Sequence, residues 1–213
     1  MILYGSSMSP FVRKTMAFAA EKGLELRLKQ AGLGSADPDF LKASPFKKMP
    51  GFSDGDFHIS DSTAIITYLD ALHPEPNLIP TEPKARARTV WFEEFADTIL
   101  VATLAKTFFN RVVAPRFLGR EGDLDAADKA ERDEAPPLFE YLEGLIPTSG
   151  YLVEDRLTLA DLAVASPFVN WEHAGCKLDG ARFPKLVAYT EAVLARPSFA
   201  PIVARERKFF QAA

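Results

Sequence analysis

Two short clusters hold the residues best suited to chemistry. The first, Ser6-Ser7-Met8-Ser9-Pro10-Phe11-Val12-Arg13, puts a serine directly before a proline. Proline suits the first turn of a helix, so Ser9 reads as an N-cap. Its hydroxyl then sits at the positive end of a helix dipole. The second cluster runs from Lys47-Lys48-Met49-Pro50 to Asp61-Ser62-Thr63-Ala64-Ile65. It joins a proline-bounded strand edge to another helix start behind an acidic residue. A donated hydroxyl proton and a helix N-terminus both favour thiolate over thiol, as they do for low-pKa cysteines. The two clusters could therefore hold a small thiol peptide and ionise its sulfur without a catalytic cysteine. Each also has a plainer reading. Ser9 can be a cap and nothing more, and Asp61 or Ser62 can simply cap the helix that follows.

Bulk properties narrow the field. The chain has 213 residues, enough for one large domain or two small ones. Its hydrophobic fraction of 47% is that of an ordinary globular protein. A net charge of -4 gives no reason to expect nucleic acid or an anionic membrane as partner. One cysteine, Cys176, excludes an internal disulfide and suits a reducing compartment. The start, Met1-Ile2-Leu3-Tyr4-Gly5, has no signal-peptide pattern. No run approaches the ~18 apolar residues of a membrane span. The expectation is a cytoplasmic protein. Only three histidines exist, His58, His73 and His173, none beside Ser9 in sequence, so a Ser-His triad is not expected. Nothing in the pattern calls for a metal.

The elements that must position the clusters follow from periodicity. Ile2-Leu3-Tyr4 reads as a short strand and Pro10 to Lys22 as a helix stopped by Gly23. Leu24, Leu26 and Leu28 alternate with charged residues, the period of a half-buried strand. A short helix is expected over 39–43. Gly51-Phe52-Ser53 and Phe57-His58-Ile59 flank Asp54-Gly55-Asp56 as a hairpin. Ser62 to Leu72 closes a β-α-β-α-β-β-α order. Pro74, Pro76, Pro80 and Pro83 then mark a stiff connector. Beyond it the chain reads as all-helical: one long helix from Lys84 to about Val113, then 125–145, 158–173, 184–195 and 198–209. Thr158-Leu159-Ala160-Asp161 has the capping-box layout. The predicted division is 1–76, a linker at 77–83, and 84–213.

These motifs together resemble the cytosolic glutathione transferases over nearly the full length. Ser9-Pro10-Phe11 with Arg13 resembles the serine-type turn of the tau, phi and theta classes. Ser44-Pro45-Phe46-Lys47-Lys48-Met49-Pro50 is similar to the family's Asn-Pro-x-x-x-Val-Pro segment, and Asp61-Ser62-x-Ala64-Ile65 to its Glu-Ser-x-Ala-Ile signature. Leu157 to Asp161 is similar to its C-terminal capping motif. Lys47 departs from the family's usual glycine, and Met8 stands where the zeta class has cysteine, so the class stays open.

The resemblance implies an α+β thioredoxin-like domain, 1–76, followed by an all-α domain. It implies glutathione as co-substrate, with Ser9 as thiol-activating donor and Ser6, Ser7 or Tyr4 as fallbacks. Met49-Pro50 would be cis, its backbone pairing with the peptide as an added strand. Lys48 would reach the glycine carboxylate. Asp61 and Ser62 would hold the γ-glutamyl end. Met8, Phe11, Phe95 and Arg111 are candidates for a second-substrate pocket between the domains. The implied activity adds the glutathione thiol to a small hydrophobic electrophile, as in detoxification, and the implied assembly is a homodimer. Peroxide or disulfide reduction and aryl-ether cleavage would use the same site. A non-catalytic interaction protein on the same fold, like the stringent-starvation proteins, is the rival from another class.

Overall fold

The structure, a computed structural model, describes residues 1–32 and 34–212. The chain forms two compact units. The first comprises Met1–Leu78 and the late segment Pro197–Glu206. The second comprises Ile79–Arg196 and the residues from Arg207 onward.

In the first unit the order is β1 (Ile2–Gly5), α1 (Pro10–Glu21), β2 (Arg27–Gln30), α2 (Pro38–Ala43), β3 (Gly51–Asp54), β4 (Phe57–Ser60) and α3 (Ser62–Leu72). The strands form one mixed sheet in the order β2-β1-β3-β4. β1 runs parallel to β2 and antiparallel to β3, with Leu3 opposite Phe52, and β3 pairs antiparallel with β4. Strand alternation gives the sheet two apolar faces. Leu3 and Phe52, both 0% exposed, share one face. Phe52 meets Tyr68 of α3 at 5.7 Å between ring centroids. α1 and α3 bury Val12, Phe18, Ile65 and Leu69 completely. Each such side chain is worth about 1.5–3 kcal/mol of transfer free energy. On the other face Tyr4 packs with Ala31, Phe40 and Ala43, and Ile2, Leu41 and Met49 lie against them.

Two differences from the expected elements have physical causes. The second strand begins at Arg27, not Leu24. Lys22 and Gly23 still form the turn closing α1, and Leu24 N–H is taken by Ala19 O at 2.8 Å, so pairing starts only past that turn. The proline-rich stretch, with a cis Glu75–Pro76 bond, is not a free linker. Its prolines leave carbonyls without matching N–H groups. Lys22, whose side chain is 0% exposed, donates to the carbonyls of His73, Pro74 and Pro76 and pairs with Asp70. The segment Pro197–Glu206 is fastened to α1. Ser198 donates to Glu21 at 2.6 Å, and Arg13 makes a two-point ion pair with Glu206.

The second unit is helical. The single long helix expected from Lys84 is instead a succession: α4 (Pro83–Glu94), α5 (Val101–Phe108) and α6 (Ala114–Phe117), joined by π-helical turns at Phe95–Leu100 and Phe109–Val113. Next come α7 (Leu124–Lys129), a π turn at Ala130–Glu134, and α8 (Ala135–Leu145). Then follow α9 (Leu159–His173), α10 (Pro184–Leu194) and α11 (Ala200–Ala212). α11 starts two residues later than expected. α9 is buried from Leu159 through Trp171, on all sides rather than along one stripe, which marks it as the central helix. Among the described residues no helix is long and apolar enough to cross a membrane.

Candidate functional site

α1 begins as its sequence requires. Ser9 is the N-cap, with φ -75° and ψ 125°, and Pro10 takes the first helical position. Val12 N–H reaches Ser9 Oγ at 3.5 Å, a long cap bond. Ser9 N–H is held by Ser6 O at 2.9 Å, which fixes the turn. The Ser9 O–H proton has no acceptor among the described residues and is available to donate. Ser6 Oγ accepts from Met8 N–H at 3.4 Å. Tyr4 is 3% exposed and packed under Phe40, so of the fallback donors it is the one committed to the core.

Gly5 brings the second cluster up against this turn. With φ +155° it ends β1 in a conformation that side chains rarely adopt. A Cβ built there would lie 2.6 Å from Val12 and 3.6 Å from Met49. The start of α1 and the Met49–Pro50 loop therefore meet over a bare glycine. Met49–Pro50 is a cis bond. The Met49 side chain packs on the Tyr4 and Phe40 cluster, while its backbone N–H and C=O enter no hydrogen bond among the described residues. The loop leading to it is braced. Ser44 Oγ donates to Lys48 O at 2.7 Å and accepts Lys48 N–H at 2.9 Å. That leaves the exposed Lys48 ammonium on a fixed backbone.

The start of α3 joins the same place. Asp61 N–H donates to Pro50 O at 3.2 Å. Asp61 itself has φ 87°, a left-handed value unusual for a residue other than glycine. Its Oδ1 caps Ala64 N–H at 3.1 Å, and Ser62, 3% exposed, opens the helix. The strained backbone points the first turn of α3 at the loop, and sequence spacing gave no sign of it.

The remaining candidates are placed as follows. Met8 and Phe11 are half-buried beside Ser9. Phe95 is 3% exposed in the second unit, its ring 5.3 Å from Tyr141 and 6.5 Å from Trp91, which makes it core. Arg111 is committed to Asp128 at 2.8 Å and Glu131 at 2.6 Å, and its Nη1 lies 3.1 Å from Cys176 Sγ. Cys176 is 2% exposed, and burial, reinforced by Glu131 against Arg111, pushes its thiol up to about 12. Burial thus works against ionising this thiol. Ser53 and His58 face each other across the hairpin, Oγ to Nδ1 at 2.7 Å. Ser53 is 6% exposed, and among the described residues no carboxylate hydrogen-bonds the imidazole, so the pair lacks the layout of a nucleophilic triad. Arg13 stands in the serine-type turn that the sequence offered, but its partner Glu206 gave no signal there. They lie 193 positions apart, and no local pattern links them.

Comparisons with known proteins bear on both units. A family model described as "Glutathione S-transferase, N-terminal domain" matches residues 3–77, and one described as "Glutathione S-transferase, C-terminal domain" matches 99–197. A glutathione S-transferase of Hyoscyamus muticus is 31% identical over 212 residues, covering 95% of this chain and 97% of its own. Human glutathione S-transferase theta-1 is 30% identical, covering 90% and 81%. The solved apo structure of human glutathione-S-transferase T1-1 superposes with a TM-score of 0.83 at 23% identity, covering 98% and 88%, which supports the fold.

Proposed function

The chain belongs to the glutathione S-transferase family, and from that premise we propose that it ionises the glutathione thiol at Ser9 and transfers it to a hydrophobic electrophile. The carrying observation is that Val12, in the first turn of the helix that Ser9 caps, meets Met49 over Gly5, where among the described residues the Ser9 hydroxyl proton is uncommitted and the Met49 amide and carbonyl are unpaired. A peptide cysteine laid beside Met49 gains two strand-like hydrogen bonds. Its sulfur is then in reach of the Ser9 O–H and the α1 N-terminus.

In this reading Lys48 faces the glycine carboxylate. The start of α3 holds the γ-glutamyl carboxylate through its first-turn N–H groups and Ser62, while Asp61 accepts from the γ-glutamyl amine. Met8 and Phe11 give the electrophile an apolar border. The thiol proton leaves to solvent and the Ser9 O–H stabilises the sulfur's charge. The thiolate lone pair forms the carbon–sulfur bond, and the electron pair displaced from the electrophile departs with its leaving group. A charge-assisted hydrogen bond of about 1.5–3 kcal/mol lowers a thiol pKa by roughly 1–2 units. From the free value of about 8.5, that makes thiolate abundant at neutral pH. By family we place the enzyme in the cytoplasm as a homodimer.

The test is the ultraviolet thiolate absorbance of bound glutathione against pH, in wild type and Ser9→Ala. A neutral-pH thiolate in the wild type alone is expected. Thiolate in both would move the donor to Ser6, Ser7 or the backbone. No glutathione binding would favour an interaction protein on this fold.

A further inference from the structure

The second unit holds a cavity that the proposed chemistry does not use. One face of α10 forms its floor. Lys185, Ala188, Tyr189, Ala192 and Val193 recur at helical spacing, and all of them line it. Tyr189 and Val193, each 1% exposed, are rooted in the core. Ala188 and Ala192 are exposed, and their short side chains leave a trough over the helix. The facing wall is the segment 146–151. Glu143, just before it, accepts the N–H groups of Lys185 and Leu186 at 3.1 and 2.8 Å. Tyr151, at its end, accepts from Arg196 at 3.5 Å. The segment therefore runs beside α10 from its first turn to its last. Gly150 N–H donates to Pro147 O at 3.0 Å and closes a turn in it, so the wall is shaped before any ligand arrives.

The cavity measures about 310 Å³, within the roughly 300–1,000 Å³ of small-molecule sites. Lys185 and Arg196 stand at its two ends, roughly 16 Å apart along the helix axis. A volume of this size stretched over that length suits one unbranched chain. Its lining includes two cations and no carboxylate. Arg196 already has partners in the protein. The Lys185 ammonium has none among the described residues. Glu143, the carboxylate that touches this end, is engaged by two backbone amides. An apolar trough with a free ammonium at one end selects an amphiphile with a negative head. The head meets Lys185, and removal of apolar surface from water draws the chain along the alanines.

We propose that this cavity binds an unbranched carboxylate of medium chain length, its head at Lys185 and its chain along Ala188 and Ala192. The site belongs to the second unit alone and does not depend on glutathione binding at Ser9.

The experiment titrates decanoate into the full chain by calorimetry, below the concentrations at which it forms micelles. One molecule per chain should bind. Ala192→Leu, an exposed change to another good helix former, fills the trough and should weaken binding about ten-fold or more. Lys185→Gln should weaken it about two- to five-fold, a difference that shrinks as salt screens the charge, and Lys185→Arg should restore it. Melting temperature and turnover with glutathione should stay at wild-type values in all three variants. No binding overturns the proposal. Binding that Ala192→Leu leaves intact also overturns it, because the decanoate then sits elsewhere. Decanol bound as tightly as decanoate would make the trough merely apolar and overturn the carboxylate at Lys185. Should Ala192→Leu fail to fold, Ala188→Leu probes the same space with the same expected loss. None of these outcomes bears on Ser9, whose reading stands on the thiolate absorbance.

Discussion

Two helix starts in this molecule use the same device to opposite ends. α9 opens on Thr158 and α1 on Ser9, each a hydroxyl residue at the N-cap. At α9 every group is closed. Asp161 accepts Thr158 N–H at 2.8 Å, Leu152 N–H at 2.9 Å and Tyr189 O–H at 3.3 Å, and Thr158 is 0% exposed. At α1 there is no acidic residue in the first turn, the cap bond stretches to 3.5 Å, and the hydroxyl is half-buried. A closed helix start stabilises a core. An open one, set on a rigid helix, keeps its dipole and donor for a ligand.

The largest expected effect comes from breaking the closed end. Asp161→Ala strands two N–H groups and a tyrosine hydroxyl in a buried site, at 1–3 kcal/mol each. The expected loss is about 3 kcal/mol or more, a fall in melting temperature on the order of 10 °C. Calorimetry checks it. The bound thiolate midpoint of the protein that remains folded should not move, because the donors at this helix end are taken up by Asp161 within the second unit.

Next in size is the pH response of that same end. Burial pushes Asp161 up to about 6 against the hydrogen bonds that pull it down. A carboxyl raised above its unfolded value of 3.8 holds its proton more tightly in the folded state. Its contribution is therefore fully present below 3.8 and is lost as pH rises through about 6. The loss is about 3 kcal/mol. Denaturant unfolding of Asp161→Asn, which cannot titrate, should show a flatter stability profile across that window than wild type. Equal slopes would mean that the hydrogen-bond donors around Asp161 outweigh burial.

Ser9→Ala sharpens the contrast from the open end. Stability should fall only by the worth of a loose cap, about 0.5–1 kcal/mol. The bound thiol midpoint should rise by roughly 1–2 pH units. Chemical denaturation and the absorbance titration, run on one preparation, give both numbers. A large stability loss with an unmoved midpoint would make Ser9 the mirror of Thr158, a cap and nothing more.

The two ends also differed in how legible they were. Local patterns carried α9 completely, because Thr158 and Asp161 are three residues apart and their bond is the motif. The order of elements in the first unit, the hairpin at Asp54-Gly55-Asp56 and the start of α1 were legible for the same reason: period and turn chemistry act over a few residues. The site was legible only in pieces. Ser9, Met49 and Asp61 stand out, but the glycine over which Met49 meets Val12 of α1 and the left-handed φ of Asp61 are facts of the folded chain. The long second-unit helix was read as uninterrupted because π turns keep the helical period nearly intact and leave no proline or glycine signature. Phe95 and Arg111 were hard to place from the sequence for a related reason. An aromatic and a cation on one helical stripe look alike whether they face a ligand, a core or a pair of carboxylates.

The smallest effect expected lies at Lys48, and it tests how far openness extends from Ser9. Its backbone is pinned twice by Ser44, so Lys48→Ala should leave the loop and the Met49 amide in place. What goes is one exposed charge, and exposed charge pairs are weak and screened by salt. The Michaelis constant for glutathione should rise by about two- to five-fold with turnover nearly unchanged. The difference from wild type should vanish at high ionic strength. A matching fall in turnover would mean that Lys48 helps to place the sulfur as well as the glycine carboxylate, and the open region would then span the whole braced loop.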